Sequence, residues 1–261
     1  MLQNKQMPRY KAQVEYCGSN YFGMQKQENL PTIQASLERA ISQFTNGKTT
    51  EIDYCGRTDA GVHAFSQVIH FNISKPMPEK PMPETQICQG INFYLKKNKD
   101  SIAIKACIEV DESFHARFSC RSREYKYYIY NNPFPSPILK ANMHHETKPL
   151  NISKMQEVAK MLIGTHDFSS FRGKRCQAKS PIKTVDFIKI ATIAPNIIEI
   201  HVCAQSFLYK MVRNITGLLI FAGQGKVDEK SAIEIIEARD ISKLPYSAPA
   251  HGLYFWNANY D

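Results

Sequence analysis

The residues best suited to chemistry lie in one short loop, residues 55–63, between two segments with strand-like patterns. Its two glycines, Gly56 and Gly61, let a substrate approach the backbone closely. The Asp59 carboxylate is suited to act as a general base or as a nucleophile, and Arg57 adds a cation two residues away. Aspartate in a turn also commonly caps backbone amides, so the loop by itself leaves a purely structural role for Asp59 open.

A second stretch, residues 114–130, interleaves aromatic side chains with Arg and Lys, and it includes Arg117, Arg121 and Tyr125. Cations attract phosphates and flat rings stack on unpaired bases, the two kinds of contact that single-stranded or looped RNA offers. The same alternation is typical of an ordinary half-exposed strand, so both interpretations stand. A further basic run at residues 172–183, beginning at Arg172, favours a positively charged surface.

One arginine interrupts an apolar segment. Arg213 lies within residues 207–215, which are otherwise mostly apolar and have helical character. Burying a guanidinium without a partner costs several kcal/mol, so Arg213 either pairs with a carboxylate or extends from the helix edge to water.

Composition restricts the class of protein. With 261 residues and 43% hydrophobic content, the chain is long and apolar enough to bury a core, which excludes a mainly disordered protein. A net charge of +9 favours polyanionic partners. The seven cysteines show no CxxC pair, the N-terminus has no apolar signal region, and the longest apolar stretch, residues 215–222, is far shorter than the ~20 residues that cross a bilayer. We expect a cytoplasmic protein with no membrane partner and no metal site, and we expect His63, His70 and His201 to make ordinary hydrogen bonds.

The first half of the sequence alternates between strand and helix patterns. The predicted elements, in order, are a strand at 10–17, a helix at 33–44 capped by Thr32, strands at 51–55 and 67–73, a helix at 86–97 and a strand at 102–110. Four prolines between residues 76 and 83 predict an extended connector.

The second half repeats this order. Its predicted elements are a strand at 124–130, a helix from Ser153 with a capping box at Gln156 and an end at Gly164, strands at 184–191 and 197–204, helices at 206–222 and 228–239, and a last strand at 252–257. The duplicated order predicts an α+β fold of two tandem ferredoxin-like (RRM-like) βαββαβ units, joined into a largely antiparallel sheet with an active cleft between them. We expect residues 1–110 to carry the Asp59 loop and residues 111–261 to carry Tyr125 and Arg213.

Five short motifs in order resemble those of the TruA family of tRNA pseudouridine synthases. They are GRTDAGVH at 56–63, FHARFS at 114–119, DFSSFR at 167–172, MVRNI at 211–215 and AHGLY at 250–254. The motifs extend through most of the chain, and the fold of the family agrees with the duplicated order.

The resemblance implies an isomerase that converts uridine to pseudouridine at positions 38, 39 and 40 of the tRNA anticodon stem-loop, as a homodimer without a cofactor. It implies that Asp59 is the catalytic aspartate and that Arg213 pairs with it. It also implies that Tyr125 packs on the target base and that Arg57 helps to extrude the nucleotide. We expect Arg117, Arg121 and Arg172 to contact the RNA.

Two other functions compete with this one. A non-catalytic RNA-binding module would carry aromatic RNP-type residues on its central strands, and the sequence shows no match to that consensus. A nucleoside or glycoside hydrolase breaks the same bond but usually needs two carboxylates. Asp59 has no acidic neighbour in its loop, although Asp53, Asp167 or Glu124 could approach it in space.

Overall fold

A computed structural model describes residues 7–46, 51–73 and 83–260 of the chain, so the predicted connector at 76–83 lies outside the described residues except for Pro83. The chain divides into two compact units, one formed by residues 1–121 with 257–261 and the other by residues 122–256. The sequence placed this division at 110/111. Residues 111–121 belong to the first unit, and the guanidinium of Arg9 donates to the Phe114 carbonyl at 2.8 Å.

The first unit has the predicted order of elements. They are β1 (Arg9–Tyr16), α1 (Ile33–Phe44), β2 (Asp53–Tyr54), β3 (His63–Asn72), α2 (Glu84–Lys97) and β4 (Ile102–Val110). The strands pair antiparallel in the order β4-β1-β3-β2. This is the strand order of a ferredoxin-like unit, and it confirms the prediction for this half.

Periodic apolar residues form the core of the first unit. Four side chains of β1, at every second position from Tyr10 to Tyr16, are buried. Helix α1 is capped by Thr32, whose hydroxyl accepts the backbone N–H of Ala35 at 3.4 Å, and both helices bury one apolar face. Those buried helical residues are Ile33, Leu37, Ala40 and Ile41 of α1, and Ile87, Ile91 and Leu95 of α2.

Strand β4 departs from the predicted alternation. Its pairing with β1 shifts register between Gln13 and Val14, so Lys105 is an extra residue on β4. A bulge of this kind moves later side chains to the opposite face of the sheet. Cys107 is therefore buried, whereas Ile108, which the alternation placed inside, is 45% exposed.

The second unit repeats the arrangement with additions. Its elements are β5 (Ser122–Asn131), β6 (His144–Glu146), α3 (Ile152–Lys160), β7 (Gly164–Asp167), β8 (Ile182–Ala194), β9 (Ile197–Ala204), α4 (Met211–Gly223), α5 (Glu229–Ala238) and β10 (Leu253–Asn259), of which β10 belongs to this unit up to Trp256. The strand order is β10-β5-β9-β8-β7, and β6 pairs parallel with β5. Without β6 and β7 this is again the ferredoxin-like order.

Three details of the second unit differ from the sequence prediction. Helix α3 is capped by Asn151, whose side chain accepts the N–H of Lys154 at 3.0 Å, and Gln156 donates to the Ile190 carbonyl instead of completing a capping box. Helix α4 begins at Met211, because Lys210 has a left-handed backbone with φ of 64° that interrupts any helix from 206. The short strands β6 and β7 were not predicted, since three or four residues show too little periodicity.

No helix among the described residues has both the length and the hydropathy needed to cross a bilayer.

Helix α4 depends on a glycine. A Cβ on Gly217 would collide with the backbone carbonyl oxygen of Tyr246, which cannot move aside as a side chain can. We expect Gly217→Ala to lower the free energy of unfolding by about 1–3 kcal/mol, despite the better helix propensity of Ala. The measurement is the thermal midpoint of the whole chain.

Gly90 in α2 provides the matched control. A Cβ there would meet the ring of Phe44, a half-buried side chain that can rotate away. Gly90→Ala should therefore cost less than Gly217→Ala. Equal thermal midpoints for the two variants would contradict this account of Gly217.

Candidate active site

The loop that carries Asp59 is held by buried hydrogen bonds. The hydroxyls of Thr58 and Tyr16 lie 2.7 Å apart, and the side chain of Gln67 donates to the Gly56 carbonyl at 2.9 Å. Tyr16 is 3% exposed and Gln67 is fully buried. Because buried polar groups are costly to leave unsatisfied, these contacts fix the backbone on both sides of Arg57.

The segment after β1 packs directly against this loop. The N–H of Met24 donates to the Thr58 carbonyl at 3.1 Å. Gly23 has φ of 94°, and a Cβ on it would lie 2.7 Å from the Thr58 oxygen. Gly18 similarly faces the Val62 carbonyl. Only glycine permits this backbone-to-backbone approach, which explains two glycines that the sequence offered no reason to select.

Exposure alternates along the loop. Arg57 is exposed, Thr58 is buried and Asp59 is half-buried. The carbonyl of Asp59 accepts the N–H of Val62 at 3.1 Å, which closes a tight turn. Burial raises the pKa of Tyr16 to about 12, so its hydroxyl stays protonated at neutral pH and remains able to donate. The loop therefore presents a carboxylate from a rigid backbone.

Tyr125 lies on the buried face of β5. It is 7% exposed, and its ring meets Phe207 and Phe255 edge to face, each at a centroid distance of 5.1 Å. Two aromatic neighbours fix the plane of the tyrosine ring.

The opposite face of β5 carries one ion pair and one contact between a histidine and a carboxylate. Lys126 lies 3.0 Å from Glu199 and 3.9 Å from the ring centroid of Trp256. His201, on β9, lies 2.8 Å from Glu124. Of the two interpretations of residues 114–130, the half-exposed strand describes this strand portion, because Lys126, the cation on its outer face, is paired with Glu199.

Arg213 lies in the first turn of α4 and is half-buried. Its Nε donates to the Ala248 carbonyl at 2.7 Å, and the Ala248 N–H donates to the Arg213 carbonyl at 3.0 Å. This reciprocal pair orients the guanidinium. Burial lowers the pKa of His251, and the positive charge of Arg213 lowers it further. The predicted pairing of Arg213 with Asp59 stays a prediction, as do the roles of Tyr125 and Arg57.

The other predicted RNA-contacting arginines have different surroundings. Arg172 donates to the carbonyls of Cys176 and Ala178 at 3.0 and 2.6 Å, so it also ties together its own loop. Arg117 and Arg121 are both exposed in the first unit. Contact of any of the three with RNA stays a prediction.

A cluster that the sequence did not indicate lies in the first unit. The Asp53 carboxylate is 3.7 Å from Nε2 of His70 and 3.8 Å from Nε2 of His115. Backbone N–H groups of Ala116 and Arg117 donate to Nδ1 of these two rings, at 3.2 and 3.1 Å. Because Nδ1 accepts in both rings, the ring proton lies on Nε2, the atom that a metal ion would need free.

The cluster is therefore better described as two ring N–H groups directed at the Asp53 carboxylate than as a cation site. The spacing of its three side chains would admit an ion. Burial lowers the pKa of His70 to about 4, so this ring is neutral at physiological pH. Each of His70, His63 and His201 makes at least one hydrogen bond, to Ala116, Gly18 and Glu124 respectively.

Three motifs of the second unit contain residues with structural roles. The Asn214 side chain donates to the Phe171 carbonyl at 2.9 Å, which connects MVRNI to DFSSFR. Tyr127 donates to the Pro249 carbonyl at 2.9 Å, and a Cβ on Gly252 would lie 2.6 Å from its ring. Gly252 of AHGLY is therefore required to leave room for the buried ring of Tyr127.

Comparison with solved structures gives only a weak likeness. The archaeal box H/ACA sRNP Nop10-Cbf5 complex aligns with a TM-score of 0.35 and 10% identity, over 81% of this chain and 43% of that chain. A likeness of this size carries no weight in the assignment.

The sequence matches to known proteins are much stronger than the structural likeness. The family described as tRNA pseudouridine synthase matches residues 12–119 and 158–261. The tRNA pseudouridine synthase A of Anaplasma phagocytophilum is 41% identical over 97% of this chain and 100% of its own length, and that of Zymomonas mobilis is 39% identical over the same shares. The relative of the same name from Caulobacter is 37% identical over 98% of this chain and 99% of its own. The chain therefore belongs to the tRNA pseudouridine synthase family.

Proposed function

We propose that this chain is an isomerase that converts uridine to pseudouridine at positions 38, 39 and 40 of the tRNA anticodon stem-loop. Family membership over nearly the whole chain supports the reaction and the tRNA substrate. The observation that carries the site is the GRTDAGVH loop, which holds one half-buried carboxylate on a backbone fixed by Tyr16 and Gln67.

The proposed reaction needs few chemical groups. The bond between C1′ of the ribose and N1 of uracil breaks, the base turns while it is still held, and a bond from C1′ to C5 forms. C5 loses a proton and N1 gains one, so the product has the mass of the substrate. A single carboxylate can start this sequence, because no group is gained or lost and there is no net oxidation or reduction.

Asp59 serves as that carboxylate in this proposal. It either attacks C1′ or removes the proton from C2′, and both routes start from the ionised acid. Arg213 is its proposed partner, since a guanidinium nearby favours the anion. Arg57, which is exposed beside Thr58, is proposed to help extrude the nucleotide.

Tyr125 is proposed to stack on the target base. The aromatic neighbours Phe207 and Phe255 hold its ring in one orientation, which reduces the entropy lost when a base packs against it. Its hydroxyl is proposed to assist loss of the C5 proton.

A stacked stem conceals its ribose carbons, so the target nucleotide must flip out at a cost of a few kcal/mol. Phosphate contacts offset this cost, and Arg117, Arg121 and Arg172 are the proposed contributors. The net charge of +9 is consistent with a polyanionic substrate.

The proposal also includes a homodimer and a cytoplasmic location. The homodimer rests on the family resemblance. The location rests on the seven scattered cysteines without a CxxC pair, a pattern typical of proteins from reducing compartments.

The direct test maps pseudouridine in unmodified tRNA transcripts before and after incubation with the purified protein. We expect new pseudouridine at positions 38, 39 or 40 and an RNA mass that does not change. A nucleoside hydrolase would instead release uracil and lower the RNA mass. Pseudouridine confined to other positions would refute the anticodon stem-loop assignment.

Asp59→Asn and Asp59→Ala test the carboxylate. We expect pseudouridine formation to fall by about 1,000-fold or more, because both proposed routes need the ionised acid. The affinity for tRNA should change little, since binding is spread over many cations. Single-turnover rates and filter binding on the same transcript separate the two effects. Near-normal turnover by Asp59→Asn would mean that another group performs the chemistry.

Tyr125→Phe and Tyr125→Ala separate stacking from hydroxyl chemistry. Phe keeps the ring between Phe207 and Phe255, so we expect it to retain tRNA affinity and to lose turnover. Ala should lose both. Equal losses of affinity in the two variants would argue against a stacking role for Tyr125.

A further inference from the structure

The turn at residues 114–119 in the first unit presents an aromatic ring to solvent. Phe118 is 75% exposed, and Arg117 beside it is also exposed. A single exposed apolar residue is common on protein surfaces and needs no explanation. Phe118, however, is held in place by hydrogen bonds to its turn and by contacts to its ring.

The backbone of this turn is fixed from three directions. Arg9 donates to the Phe114 carbonyl at 2.8 Å, and the hydroxyl of Tyr260 donates to the Ala116 carbonyl at 2.6 Å. The N–H of Ala116 donates to the buried ring of His70 at 3.2 Å, and Ala116 itself is fully buried. The turn therefore does not move freely to bury Phe118 elsewhere.

The Phe118 ring also packs against the ring of His115. Its centroid lies 4.4 Å from that of His115, whose ring in turn lies 4.7 Å from the ring of His70. The Asp53 carboxylate faces Nε2 of both histidines and completes this support. This explains the cluster without a metal ion, since it holds His115 in place beneath an exposed ring.

The neighbours of Phe118 are polar and cationic. The Arg117 guanidinium carbon lies 5.7 Å from the ring centroid, and Arg121 follows on the same segment. A protein partner would be better matched by a contiguous apolar patch. A fixed ring beside an arginine matches an unpaired nucleobase with its adjacent phosphate.

We propose that Phe118 is a base-stacking residue for the RNA substrate. An unpaired base packs on the exposed ring while Arg117 contacts the neighbouring phosphate, and His115, His70 and Asp53 keep the ring in place. This inference rests on the proposed function only in that the substrate is tRNA. It adds a contact to the RNA beyond those proposed for Asp59, Tyr125 and Arg57.

Phe118→Ala and Phe118→Tyr test the proposal. We expect Phe118→Ala to weaken binding of an unmodified tRNA transcript by about 5- to 150-fold, the range for loss of one stacked base. Phe118→Tyr keeps a flat ring and should stay within about 2-fold of the unsubstituted chain by the same reasoning. No loss in Phe118→Ala, or an equal loss in both variants, would overturn the proposal.

Phe93 provides a matched control in the same unit. It is 62% exposed on α2 and contacts Tyr94 edge to face, with no part in the turn. Phe93→Ala should leave the tRNA affinity and the turnover unchanged. A loss equal to that of Phe118→Ala would assign the effect to general surface hydrophobicity and overturn the proposal.

A fluorescence readout reports stacking directly. The chain has one tryptophan, Trp256, whose signal is subtracted. Phe118→Trp should show additional quenching when the tRNA transcript is added, because a base stacks on the indole, and Phe93→Trp should show none. Absence of this difference would overturn the proposal.

The proposed function and this inference fail in distinguishable ways. Binding is measured in the Asp59→Asn chain, so it does not depend on turnover. Normal turnover by Asp59→Asn would refute the catalytic assignment and leave the stacking result intact. If Phe118→Ala alters the oligomeric state by sedimentation and leaves RNA affinity unchanged, Phe118 contacts a second copy of the chain and the stacking role is wrong.

Discussion

A pair of buried hydroxyls is the constraint on which the candidate site depends. Tyr16 and Thr58 share one hydrogen bond inside the first unit, and Thr58 immediately precedes Asp59. Leaving either hydroxyl unsatisfied would cost about 1–3 kcal/mol, so the core itself disfavours loop conformations that separate them. The position of the Asp59 backbone is thus tied to the packing of β1.

The glycines near this pair follow from the same constraint. The backbone after β1 lies close to the backbone of the Asp59 loop around this pair. A side chain at Gly18 or Gly23 would prevent that approach. In the second unit, Gly252 leaves room for the ring of Tyr127, and Arg213 is oriented by Ala248. Several residues of the recognisable motifs therefore have structural roles.

Some strands and helices could be predicted from the sequence and others could not, for physical reasons. Strand β1 and helix α1 were predictable because each buries one face, so hydrophobic residues recur with a fixed period. The position of strand β4 was predicted correctly, but the buried side chains of its second half were not. The extra residue at Lys105 moves the later side chains to the opposite face of the sheet. The start of α4 was missed because the left-handed backbone of Lys210 leaves no signature in residue type.

The sequence by itself determined the order of elements, the two ferredoxin-like units, the family, and Asp59 as the candidate carboxylate. These properties follow from local hydrophobic periodicity and from contiguous sequence motifs. Only the tertiary structure decided that Asp53, His70 and His115 meet beneath Phe118, and that the hydroxyl of Tyr16 reaches Thr58. Contacts between residues more than 40 positions apart depend on strand register and bulges, and no local pattern encodes them.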